Sequence, residues 1–239
     1  MRDQQNLPDT GSGIPERSGY LVSVLSEIIK LRTANPTGRR RIIQVSIDTC
    51  CEALMFGTRD AALRHFDQLL ARGLPMDALV ETVFPHCAAR MGQMWADDTA
   101  SFADVSLGTS MLHMALRHVE GRYLKDAKPG TGKRILLFTL DDETHLFAPL
   151  LLTAMLEREG HTVQRESGVT TDVCLQIAAT AAHDIVGISL GKTENNDRLV
   201  ELLGGLKSFS GAPIMVGGPG LPAEIPGALV PFVDFWGSD

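Results

Sequence analysis

His145 stands between an acidic turn, Asp141–Asp142–Glu143, and the apolar run that follows from Leu146. The apolar run "RILLFTL", residues 134–140, reads as a buried strand, so His145 falls just past its carboxyl end. That edge is where parallel α/β sheets bind ligands. The plainer alternative is a solvated histidine in a loop or at a helix start. Two other stretches bear on the choice: "GISLG", with Ser189, Leu190 and Gly191, and "VGGPG", with Gly217 and Gly218. Each closes a further apolar run, and their spacing predicts that all three ends lie on adjacent strands. Glycines there let a backbone approach a ligand closely.

Elements that position these residues follow from periodicity. Runs 134–140, 184–190 and 213–218 alternate with helical stretches near 145–159, 170–182 and 195–208, and "HTVQ" and "VDFWG" supply short fourth and fifth strands. This alternation predicts a Rossmann-like, flavodoxin-like parallel sheet with flanking helices over 134–239. Ahead of it, segments near 42–56, 59–72, 76–96 and 102–124 carry helical apolar spacing, with Ser101 as N-cap of the last. They predict a helical bundle over 18–124, opened by an amphipathic helix at 19–33 and joined to the sheet by a Gly/Pro-rich linker at 125–133. Residues 1–17 are polar and rich in turn formers, the composition of a mobile arm.

Composition narrows the classes of function. With 239 residues and a net charge of −7, the chain carries no general basic surface for a nucleic-acid backbone, although a local DNA contact stays open. Cys50, Cys51, Cys87 and Cys174 form neither C-x-x-C nor zinc-finger spacing. Reduced thiols in a cytoplasmic protein are the expectation. No apolar run approaches the ~18 residues of a membrane span. The methionines Met91, Met94, Met111 and Met114 read as core fillers, Cys50–Cys51 as a buried pair and "GRRR" (38–41) as a solvated turn.

The run Glu143-Thr144-His145-Leu146-Phe147-Ala148, then Ser189-Leu190-Gly191, then Gly217-Gly218, resembles the D-x-H-x-x-G, S-x-L and G-G motifs of cobalamin-binding domains. Departures are Glu143 for aspartate, Ala148 for glycine and Gly191 for leucine. The resemblance implies that His145 is the lower cobalt ligand, with a carboxylate on its second nitrogen from Glu143, Asp141 or Asp142. It also implies that the cofactor's nucleotide tail lies beside Ser189, Leu190, Gly217 and Gly218. Some relatives sense haem, for which His145 would equally be an axial ligand.

The segment "MGQMWADDTASFADVSL" resembles the bundle that caps the upper face of cobalamin. Trp95 is present, but Val105 and Ser106 stand where light-sensing repressors carry Glu-His. Ser106, Ser110, His113 and Arg117 make a polar stripe along that helix, which leaves His113 as a second candidate near the cofactor. Residues 40–239 together resemble the AerR/PpaA family of antirepressors. Membership implies a non-enzymatic, light-responsive cobalamin protein, in hydroxo-, methyl- or adenosyl- form, that binds a CrtJ/PpsR-type repressor of photosystem genes. A haem sensor and a corrinoid methyl carrier remain as alternatives.

Overall fold

The computed structural model describes residues 39–130, 132–191, 196–218 and 221–237. Contacts divide the chain into Met1–Val45 and Ser46–Asp239. The arm expected at 1–17 and the helix expected at 19–33 lie outside the described residues.

Helix α1 is Arg39–Phe56, so the three arginines expected in a solvated turn begin a helix instead. Arginine is a good helix former and nothing in "RRR" breaks the pattern. Helix α2, Arg59–Ala71, starts at Thr58, whose hydroxyl accepts the Ala61 amide. Next come one helical turn at Met76–Ala78, a π turn at Leu79–Val83 and helix α3, Phe84–Ala96. The π turn has a covalent cause: Pro85 has no N–H for the Glu81 carbonyl, and the Phe84 amide bonds back to Leu79. Helix α4, Phe102–Tyr123, opens with a capping box in which Ser101 and Asp104 satisfy each other's backbone amides. Leu54, Phe66, Phe84, Leu112, Leu116 and Tyr123 fill the space between these helices. Cys50, Cys51 and Cys87 are buried free thiols among them; Met91 and Met111 are core as expected, whereas Met94 and Met114 are only half-buried.

Strands β1 (Arg134–Leu140), β2 (Thr162–Val169), β3 (Ile185–Ser189), β4 (Ile214–Gly217) and β5 (Phe235–Gly237) form one parallel sheet in the order β2-β1-β3-β4-β5. This is the flavodoxin-like order, with helices α5 (Phe147–Arg158), α6 (Thr171–Thr180) and α7 (Asn196–Ser210) between the strands. Leu136, Phe138, Val186, Ile188, Ile214 and Val216 pack with Leu202, Leu203 and Leu206 of α7.

Strand β2 runs to Val169, well past the "HTVQ" of the sequence expectation. It is an edge strand, and its Arg165 and Glu166 hide the apolar alternation. Near its end the pairing shifts from Phe138↔Glu166 to Leu140↔Val169, one extra residue on β2. Gly168 takes the positive φ of that bulge, and its amide donates to Thr139 Oγ1 at 3.2 Å.

Bundle and sheet meet within the Ser46–Asp239 unit. Arg158 of α5 stacks 4.5 Å from the Tyr123 ring centroid, donates to the Tyr123 carbonyl and pairs with Asp77 at 2.5 Å. Tyr123 in turn donates its hydroxyl to Glu81 at 2.7 Å.

Candidate functional site

The β1–α5 loop carries the histidine. Helix α5 begins at Phe147, so His145 is held by the loop and not by a helix turn. Glu143 Oε1 accepts both the backbone amide of His145, at 2.6 Å, and its ring Nδ1, at 2.7 Å. The other carboxylate oxygen accepts the amide of Gly191 at the end of β3. The Glu143 side chain is 7% exposed and that of His145 54%. Partial burial raises the Glu143 pKa, but the two amides and the imidazole outweigh it and hold the carboxyl below its usual range. A carboxylate facing Nδ1 places the ring proton there, which leaves Nε2 with its lone pair.

Asp141 and Asp142, the other carboxylates open to His145 from sequence, are engaged elsewhere. Arg198 of α7 pairs with both, holding Asp141 below the ordinary carboxylate range, and also donates to Thr171 Oγ1 at 3.1 Å. Arg198 was not legible as a site residue, since only the fold brings it to the loop.

The floor of the site is backbone. Thr139, Ser189 and Gly217 stand in register across β1, β3 and β4, so the three strand ends are adjacent as the spacing predicts. The Leu190 amide donates to the Gly217 carbonyl at 2.8 Å. Gly218 has φ +152°, and a Cβ there would stand 1.7 Å from the Leu190 carbonyl oxygen. Only glycine fits that crossing. Thr144 is exposed, its carbonyl accepting the Leu146 amide at 3.1 Å, and Ala148 is exposed on the first turn of α5.

The bundle residues fall in two places. Trp95, 54% exposed, meets Phe102 edge-on at 6.4 Å between centroids. His113 stacks on Phe147, two residues after His145, at 5.5 Å and 17°. Its Nε2 is buried with no hydrogen-bond partner among the described residues, while the residue as a whole is half-buried. Ser106 and Ser110 are exposed, the Ser110 hydroxyl donating to the Ser106 backbone carbonyl at 2.9 Å, while Arg117 pairs with Glu120 at 3.7 Å.

The arrangement offers one imidazole nitrogen with a fixed tautomer. A single donor of this kind suits a metal that brings its other ligands in a macrocycle, and the glycine-lined floor suits a ligand lying close against backbone.

No family model matches the chain. In sequence it is similar to the uncharacterized 20.5 kDa protein in the bchF-crtJ intergenic region of Rhodobacter capsulatus, 23% identical over 146 residues, 61% of this chain and 76% of that one. In structure it is similar to the monomethylamine corrinoid protein of Methanosarcina barkeri, with a TM-score of 0.68, 14% identity, and coverage of 81% of this chain and 92% of the other. A cobalamin-binding protein from Desulfitobacterium hafniense superposes at a TM-score of only 0.38, with 16% identity over 80% of this chain and 91% of that one.

Proposed function

We propose that this protein is a cobalamin-binding, light-responsive antirepressor that acts on a CrtJ/PpsR-type repressor. The observation that carries the reading is the Glu143–His145 pair at the carboxyl edge of a sheet with the fold of a corrinoid protein. The similarity to a protein from the bchF-crtJ intergenic region favours a role beside that repressor.

In this reading His145 Nε2 would hold the cobalt, and Ser189, Leu190, Gly217 and Gly218 would border the cofactor's nucleotide tail. Trp95 and His113 belong to the capping side. Bound cobalamin supplies a photolabile alkyl–cobalt bond, chemistry that amino-acid side chains lack. Light regulates only if the protein's conformations differ in their affinity for the two cofactor forms. The stack of His113 on Phe147 would carry that difference, since it joins the first residue of α5, next to the His145 loop, to α4.

Repressor binding by the adenosylcobalamin-loaded protein should change roughly 5-fold or more on illumination, the usual size of such a coupling. His145→Ala should respond equally in dark and light. Identical dark and light binding by the unmodified protein would contradict the reading. A corrinoid methyl carrier is the second reading, favoured by the fold of the monomethylamine corrinoid protein. It predicts methyl exchange with a corrinoid-dependent methyltransferase and no repressor binding.

A further inference from the structure

We infer that Gly191 is a positioning residue for His145: its bare α-carbon makes room for the longer acid Glu143, and its amide anchors that acid. The inference rests on the cobalamin reading for its consequence but on the protein's own geometry for its cause. A Cβ at position 191 would stand 2.3 Å from His145 Nδ1 and 2.8 and 2.9 Å from the two Glu143 oxygens. Real Cβ atoms essentially never come that close, so the His145 ring and the Glu143 carboxylate would have to shift away. The space that any side chain at 191 would fill is therefore the space in which the Glu143–His145 contact is made.

The chemistry of the pair depends on that space. Glu143 gives one oxygen to both donors of His145 and the other to Gly191, so it joins the β1–α5 loop to the end of β3. An aspartate is one methylene shorter and, from the same backbone, would surrender one of the two attachments. Asp141 and Asp142 cannot take over while Arg198 holds them. The glutamate at 143 and the glycine at 191 are thus two halves of one device, which fixes the proton on Nδ1 and turns Nε2 outward.

The test uses the full chain and reads the ligand nitrogen before any cofactor is added. Nitrogen-15 NMR of the His145 ring in the cofactor-free protein should show a single tautomer, protonated at Nδ1. Gly191→Ala should lose that signature and retain hydroxocobalamin about 10–100-fold more weakly, the usual cost of removing such a support, with its far-UV circular dichroism unchanged. Shortening the acid in Gly191→Ala/Glu143→Asp should recover most of the loss. Glu143→Gln changes no volume and removes one acceptor, so it should also mix the tautomers, which keeps the test decisive if Gly191→Ala folds poorly. Retention of the single tautomer in both single variants would overturn the inference. If the unmodified protein shows the tautomer but retains no corrinoid, the cofactor reading fails while the brace stands.

Discussion

At neutral pH the His113 imidazole is held uncharged. Partial burial against Phe147 disfavours the cation, and the guanidiniums of Arg165 on β2 and Arg117 on its own helix add to the effect, so its pKa lies below the ordinary 6.5. The folded state then binds fewer protons at this site than the unfolded state. Its contribution to stability is complete above about pH 6.5 and falls away as pH drops through the depressed folded value. Melting temperature should therefore decrease between about pH 7.5 and 5.5, and the decrease should be smaller in His113→Leu. Equal slopes in the two proteins would remove His113 from the account. At this scale the sequence exposes His145 and Glu143 through their place after an apolar strand. It shows Gly191 at a strand end but not its bond to Glu143, and it hides Arg198 altogether, because these contacts span 48 and 57 residues along the chain.

Elements were legible where burial is uniform. Strands β1, β3 and β4 sit inside a parallel sheet and read as unbroken apolar runs, which is why their ends are legible to within a residue. Strand β2 was underestimated because an edge strand need not alternate, and the π turn before α3 arises from a proline placed inside an otherwise regular helical pattern. The start of α4 is legible from Ser101, and its geometry bears on the capping role proposed for Trp95. Phe102, the first residue of the helix, is the ring partner of Trp95. Ser101→Ala should lower the melting temperature by roughly 2–4 °C and alter Trp95 fluorescence, because the N-cap fixes where Phe102 stands. A lower melting temperature with unaltered emission would separate the cap from Trp95. Trp95→Ala itself should change the light response and leave the sheet intact; an unchanged dark-to-light difference would exclude Trp95 from the capping role.

Across the whole unit Ser46–Asp239, bundle and sheet are tied at both ends of α5. His113 meets Phe147 at its start, beside the site, and Arg158 meets Tyr123 and Asp77 at its end. The Arg158 end is the polar anchor: its side chain is 15% exposed and that of Asp77 53%, so solvent screens part of the ion pair. Arg158→Met should cost about 1–2 kcal/mol in urea unfolding, chiefly through the hydrogen bond to the Tyr123 carbonyl. A cost near zero would mean that the two layers are held by apolar packing alone. None of this inter-layer chemistry is visible in periodicity, because Arg158 reads as an ordinary basic residue at a helix end. In the proposed function His145 holds a corrinoid. Its most direct test is the absorption spectrum of the protein after dark mixing with adenosyl- or hydroxocobalamin and gel filtration, beside His145→Ala and a parallel haem titration. Corrin bands should co-elute with the protein, shift on illumination of the adenosyl form and disappear in His145→Ala at unchanged circular dichroism. Corrin bands retained equally by His145→Ala, or retention of haem alone, would contradict it.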